Sequence, residues 1–144
     1  MQQNSEKVNI TLKTVIYDMD SDEQETQEQS VAGEWIKKGD IDVLKYEEVI
    51  EEAGTIQNMI TIRPERVSIR RTGAIQMNQQ FQSGQKTENI YQHMHGNIHM
   101  ETYSESITFT ENTMPRMLEI NYTMKLNGQL ERKHQLKLQF SRRK

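Results

Sequence analysis

The sequence predicts an all-β protein, folded as a single antiparallel up-and-down β-barrel of about eight to ten strands. Apolar and polar residues alternate with a period of two along most of the chain, which is typical of strands with one buried and one solvated face. Turn signals separate these runs at intervals of about 8 to 12 residues, the spacing expected of a sandwich or barrel. No segment shows a helical period. Because the connections are short, we expect neighbours in sequence to be neighbours in the sheet.

The last third of the chain carries the clearest pattern. Apolar and aromatic residues occupy one parity on both sides of a hairpin signal, Asn127-Gly128: Met114, Leu118, Ile120, Tyr122, Met124, Leu126, Leu130, Leu136, Leu138 and Phe140. A two-residue loop would mix the apolar and polar faces of the two strands, whereas a three-residue loop over 126–128 keeps them aligned. That register pairs Tyr122 with Arg132, and it turns Tyr122, Arg132 and His134 toward the core.

The first half of the chain shows shorter runs. We predict a strand from Val8 to Ile16, followed by a polar, acidic connection from Asp18 to Gln29. Two strands, Val31–Lys38 and Ile41–Ile50, then flank a turn at Gly39-Asp40.

The middle of the chain continues the alternation, and each run ends at a glycine, proline or polar turn. The predicted strands are Ile56–Ile62, Val67–Arg71, Ile75–Phe81, Thr87–His95 and Ile98–Thr110.

Length and composition fit one soluble domain. We predict a single barrel over residues 1–144, with 1–6 and 141–144 as flexible tails. The net charge of −3 gives no basic footprint for nucleic acid. There is no cysteine for a disulfide, a thiolate metal site or a nucleophile, and no run approaches the roughly 18 apolar residues of a membrane span. We therefore expect a cytoplasmic protein without nucleic-acid or membrane partners, and the oligomeric state stays open.

Histidines beside Gly96 form the only metal-like cluster in the sequence. His93 and His95 share one face of a strand, a workable beginning for a zinc site with His99 and Glu101. Histidine pairs beside turns are commonly only solvated, so we predict no metal, no cofactor and no catalytic residue.

The register at Gly96 decides which residues join that face. A two-residue Gly96-Asn97 loop would put His99 on the face opposite His93. A three-residue loop over 94–96 pairs Tyr91 with His99, and it agrees with the parity of the apolar residues farther along the strand. It gathers five side chains on one face: Tyr91, His93, His99, Glu101 and Tyr103.

Several polar residues share parity with apolar core positions and are predicted to face the barrel interior. The predicted ligand-binding residues are Arg71, Tyr91, His93, His99, Glu101, Tyr103, Tyr122, Arg132 and His134. Buried charges persist only when they are paired, so these residues indicate either a bound polar ligand or an internal ion-pair network, such as Arg132 with Glu101 or Glu105.

Short motifs recur along the chain from Val8 to Phe140: Tyr46-Glu47-Glu48, Arg71-Thr72-Gly73, Met77 with Phe81, the stretch Tyr91 to Gly96, and Asn121-Tyr122 followed by Asn127-Gly128. In their order and spacing they resemble the YwiB-like family of small bacterial proteins. The resemblance implies a closed calycin, or lipocalin-like, barrel. It implies no activity.

The leading functional hypothesis is a barrel that binds a small, anionic ligand in its interior, with Arg71 and Arg132 as the anion contacts. The alternative is a non-enzymatic interaction or structural barrel that acts through its outer surface. A hydrolytic enzyme based on histidine and glutamate is the third hypothesis. It ranks last because no nucleophile or phosphate-loop motif accompanies those residues.

Overall fold

The computed structural model describes residues 5–18, 23–93, 95–129 and 131–143, except for the side chain of His93. Ten β-strands and no helix make up this part of the chain, so it contains no helix that could cross a membrane. The strands are β1 (Ser5–Asp18), β2 (Gln24–Lys38), β3 (Ile41–Ile50), β4 (Gly54–Arg63), β5 (Arg66–Gly73), β6 (Met77–Gln82), β7 (Lys86–His93), β8 (Gly96–Thr110), β9 (Arg116–Leu126) and β10 (Arg132–Arg142).

All ten strands belong to one antiparallel sheet that curls into a nearly closed barrel. Its order is β6-β5-β4-β3-β2-β1-β10-β9-β8-β7, so each strand lies beside its neighbours in sequence, and the first strand pairs with the last. Between β6 and β7 the described residues form a single bridge, in which Gln76 and Gln92 exchange both backbone hydrogen bonds. The predicted up-and-down barrel is confirmed.

The two ends of the barrel differ in packing. We call the lower end the one where the even-numbered strands finish, and the upper end the one where the odd-numbered strands finish. Fully buried side chains fill the lower half and interdigitate as in an ordinary core, among them Val8, Ile10, Leu44, Ile60, Ile62, Val67, Phe81, Leu118, Leu138 and Phe140.

A polar network closes the lower end. The Trp35 indole N–H donates to Oδ1 of Asp42 at 2.9 Å, and Lys37 Nζ lies 3.2 Å from Oδ2 of the same carboxylate. Asp42 is fully buried, so these two donors satisfy a carboxylate that would be costly without partners. The guanidinium groups of Arg116 and Arg142 cover the Trp35 ring at 4.6 and 5.3 Å.

The chain uses more of its polar residues in strands than the sequence predicts. The connection expected over 18–29 is wrong from Gln24 onward, because β2 begins there and pairs with β1. Glu6 and Arg142, which the sequence placed in flexible tails, lie in β1 and β10 and form an ion pair at 2.7 Å. Alternation of apolar residues cannot reveal strand segments whose side chains are exposed on both faces.

At the β9–β10 hairpin the predicted faces are right and the predicted register is wrong. Asn127 and Gly128 have φ values of 50° and 69°, and the Gln129 N–H donates to the Leu126 carbonyl, which describes a two-residue turn. The ladder then pairs Tyr122 with His134 and not with Arg132. A two-residue turn alone would set a register that differs by one residue from the observed ladder. The observed shift keeps the apolar faces of β9 and β10 inward.

At the β7–β8 hairpin the predicted register is wrong, and so is the predicted face of the first half of β8. His93 pairs with Gly96 and Tyr91 with Ile98, so neither loop considered from the sequence is present. His99, Glu101 and Tyr103 therefore point outward, while Met100, Thr102 and Ser104 are buried.

A β-bulge explains this error. Ser104 pairs with Tyr122 and Ser106 with Asn121, which leaves Glu105 as an additional residue in β8. The bulge reverses the parity within the strand, so Ile107 does not report the orientation of His99. Ser104 is fully buried, although its parity in the sequence is opposite to that of Ile107.

Candidate functional site

A cavity of about 640 Å³ occupies the upper half of the barrel. Its walls come from all ten strands except β3 and β4, together with the turns after β3 and β5, and most of the lining side chains are apolar. They are Thr14, Ile16, Gln27, Ala53, Arg71, Ala74, Ile75, Met77, Gln79, Tyr91, Ile98, Met100, Tyr122, Met124, Leu126 and His134. A ten-stranded barrel is wide enough to leave such a space where large side chains do not fill it.

Arg71 is the charged group on the cavity wall. Its Nε donates to Oδ1 of Asn58 at 3.0 Å, and its Nη2 lies 3.0 Å from Oε1 of Glu48. The Asn58 amide also donates to Oε1 of Glu48, at 2.9 Å. Adjacent strands β3, β4 and β5 thus hold the guanidinium in a fixed direction, and Glu48 offsets its charge.

Tyr46 lies in the same strand as Glu48 and faces the same way. Burial, with a smaller effect from the Glu48 carboxylate, raises the pKa of Tyr46 to about 12, although Arg71 acts in the opposite direction. Tyr46 is therefore a neutral phenol beside the ion pair throughout the physiological range.

Tyr122 and His134 form a stacked pair on the opposite wall. They are direct cross-strand neighbours in β9 and β10, with ring centroids 4.9 Å apart and an interplanar angle of 14°. Phe81, which belongs to the packed core, contacts Tyr122 edge-on at 4.9 Å. Burial, with a smaller effect from Arg132, lowers the pKa of His134 to about 4. His134 is therefore a neutral imidazole near pH 7, and burial also keeps Tyr122 protonated by raising its pKa.

A buried amide completes the floor of the cavity. Gln79 donates from Nε2 to the Thr102 hydroxyl at 3.0 Å and lies 3.6 Å from the Met124 sulfur. Gln79 and Thr102 are both buried, and the hydrogen bond between them holds the Gln79 amide in place on the cavity wall.

The structure brings some of the predicted ligand-binding residues together and separates others. Arg71, Tyr91, Tyr122 and His134 line the cavity. Arg132 shares their inward parity, but it is exposed at the upper end of β10 and is not part of the lining. The side chain of His93 lies outside the described part of the chain. The remaining three, His99, Glu101 and Tyr103, are on the outer surface.

His99 and Glu101 contact a residue that the sequence did not associate with them. Glu88 pairs directly with Glu101, and its Oε2 lies 3.5 Å from Nε2 of His99. One donor atom from each of the three side chains lies within 4.8 Å of the others. Lys86 lies 3.6 Å from Oε1 of Glu88, so a lysine already neutralises part of this exposed group.

Several polar residues of the site were not predicted from the sequence, among them Glu48 and Gln79. Glu48 shares parity with Leu44 and Tyr46, but Val43 beside Leu44 made the parity of β3 ambiguous. Gln79 shares parity with Met77 and Phe81, and this signal was available in the sequence.

Taken together, the geometry defines a class: a small, single-sheet, ten-stranded antiparallel barrel, packed at one end and hollow at the other. Residues 10–138 match the family model described as a domain of unknown function, DUF1934. The chain belongs to this family.

The relatives agree with that assignment. The chain is 23% identical over 133 residues to the uncharacterized beta-barrel protein YwiB of Bacillus subtilis strain 168, and the match covers 92% of each sequence. The crystal structure of the ywiB protein from Bacillus subtilis superimposes with a TM-score of 0.85 at 24% identity, covering 97% of this chain and 94% of that one. This likeness supports the fold.

Proposed function

We propose that this barrel binds one small molecule in the cavity of its upper half. The observation that carries the proposal is the cavity itself, because about 640 Å³ lies within the roughly 300 to 1,000 Å³ of ordinary ligand sites. Its mostly apolar walls with a few fixed polar groups also match the usual composition of such sites.

The polar groups indicate the character of the ligand. A carboxylate or phosphate at Arg71 would share the guanidinium with Glu48, so the site offers less positive charge than the sequence suggested. His134 is neutral near pH 7 and adds none. We therefore propose an amphipathic ligand with an apolar body and a single acidic or strongly polar end directed at Arg71.

The test is a comparison of native and denaturing mass spectrometry on the untagged protein. We expect a non-covalent adduct in the native spectrum that is absent after denaturation, and its mass separates an organic molecule from a metal ion. Ile98→Trp should weaken or abolish the adduct, because the larger side chain takes up part of the space in which the ligand would lie. Ile90→Trp is the matched control, since Ile90 is exposed on the outer surface.

Arg71→Ala addresses the polar end of the ligand. Loss of one charge-assisted contact should weaken binding of the recovered molecule by about tenfold or more. Arg132→Ala, outside the cavity lining, should leave binding unchanged. An adduct whose amount is the same in Ile98→Trp as in the wild type, or no adduct in any preparation, would contradict the proposal.

A further inference from the structure

The ladder between β2 and β3 covers only a short part of β2. It pairs Glu34–Lys38 with Ile41–Lys45. Above this point β2 remains paired with β1, and β3 remains paired with β4. In the described part of the chain, residues 24–33 of β2 and 46–50 of β3 thus have no ladder partner on their facing sides. We call the space between these two segments the β2–β3 cleft.

Gly33 marks the base of the cleft. A Cβ atom at this position would lie 2.6 Å from the Lys45 carbonyl oxygen and 2.7 Å from Cδ1 of Ile10. The two strands are therefore in close contact at Gly33 and separate only above it. The cleft is built into the sheet at a position where a side chain would not fit.

Unpaired backbone groups line the β2 side of the cleft. The Asp18 N–H donates to the Glu23 carbonyl. Hydrogen-bonded and non-hydrogen-bonded residue pairs alternate along an antiparallel ladder. The odd-numbered residues of β2 therefore direct their backbone groups at β1. The even-numbered residues direct theirs at the cleft: Gln24, Thr26, Glu28, Ser30 and Ala32. All five residues are exposed, and an exposed edge of this length is a template for another strand.

Both sides of the cleft are acidic. The two segments that border the cleft hold four glutamates, and three more adjoin their ends: Glu25, Glu28, Glu47 and Glu48, then Glu23, Glu51 and Glu52. Residues 23–33 and 46–52 contain no lysine or arginine, although the whole chain has a net charge of only −3. Arg71 pairs with one of the seven, Glu48. The cleft therefore carries far more negative charge than the rest of the molecule, and its field favours a positively charged partner.

Apolar side chains stand beside this charge on the β3 side. Val49 is 80% exposed and Ile50 is 39% exposed, and both lie in the open segment of β3. Strand addition uses the backbone edge for affinity and alternate side chains for specificity. An exposed valine and isoleucine offer apolar contacts of the kind that a strand alternating basic and apolar residues would make.

We propose that the β2–β3 cleft binds an extended, basic segment of a partner protein, which adds as a strand to the open edge of β2. A second copy of this chain fits less well, because its β2 edge carries the same glutamates and would bring one acidic segment against another. This surface is separate from the proposed ligand cavity, although Gln27 and Arg71 bring the two close together.

The probe is a capped peptide of alternating lysine and valine, about nine residues long to span the open edge at about 3.3 Å per residue. Fluorescence anisotropy measures how tightly the peptide binds. Amide hydrogen exchange of the labelled protein shows where it binds. We expect saturable binding that weakens with salt, together with new protection at the amides of Thr26, Glu28 and Ser30. A peptide with glutamate in place of lysine should not bind.

A matched pair of variants separates strand addition from attraction by charge alone. Ser30→Pro removes a backbone donor that faces the cleft and not β1, whereas Ser30→Ala keeps it. We expect Ser30→Pro to weaken binding by about three- to tenfold, the cost of one backbone hydrogen bond, and Ser30→Ala to leave it unchanged. Thermal unfolding confirms that both variants fold.

Four results would overturn the proposal. Three of them concern the peptide: no binding of the lysine peptide, equal binding by both Ser30 variants, or protection at another part of the barrel. A fourth is concentration-dependent protection of the same even-numbered amides without peptide. That result would assign the edge to a second copy of the chain.

Discussion

His134 is a buried base whose protonation is coupled to folding. Its pKa falls from 6.5 to about 4 because burial disfavours the charged imidazolium, with a smaller contribution from Arg132. Between these two values the unfolded chain binds a proton that the folded chain does not, so stability decreases as the pH falls from 6.5 toward 4. Above pH 6.5 both states are neutral at this position, and the residue adds no pH dependence.

Urea unfolding of the wild type and His134→Gln at about pH 7 and about pH 5 tests this coupling. The wild type should lose about 2 kcal/mol more than the variant between the two, because each pKa unit corresponds to about 1.4 kcal/mol. Other titrating groups contribute equally to both proteins. Parallel losses in the two proteins, or an NMR titration of His134 with a midpoint near 6.5, would show that the imidazole is solvated.

At the scale of a single strand, the bulge in β8 decides which residues face the cavity. Glu105 is the additional residue, and the ladder is regular on both sides of it. Deleting Glu105 should therefore keep Thr102, Ser104 and Ile107 on the inner face and leave the barrel folded. Its exposed ion pair with Lys133, at 3.7 Å, contributes little to stability.

Deletion of Thr102 is the matched control for that experiment. If the bulge absorbs this deletion, Tyr103 and Glu105 move to the inner face, and the core receives a carboxylate without a partner. We expect a large drop in unfolding temperature for the Thr102 deletion and a small one for the Glu105 deletion. Equal drops would show that the bulge does not set the parity of β8.

The same bulge limits what the sequence could predict. Regular alternation is enough to place β9 and β10 and to turn Tyr122 and His134 inward, because an offset of two residues in pairing leaves the faces unchanged. An offset of one reverses them, and Glu105 introduces such an offset without a glycine to signal it. Arg71 could be predicted for the cavity, but its partner Glu48 comes from a strand with adjacent apolar residues, where parity cannot be read.

At the scale of the whole molecule, the packed core and the proposed ligand site lie in different halves of the barrel. The lower half is filled by large, fully buried side chains, while the cavity of the upper half is lined by buried and partly exposed ones. A close-packed region cannot relax to fill a new void, so truncation there costs both the lost burial and the cavity created. A side chain that already borders open space costs mainly the burial it loses.

Ile62→Ala and Ile98→Ala compare the two halves with the same chemical change. Ile62 is fully buried in the packed core, and its truncation should cost about 2 to 5 kcal/mol in urea unfolding. Ile98 is half-buried on the cavity wall, and its truncation should cost about 1 kcal/mol while changing the affinity for any recovered ligand. Ile62→Ala should leave that affinity unchanged. Equal costs for the two variants would mean that the upper half closes on itself in solution, and the space needed for a ligand would then be absent.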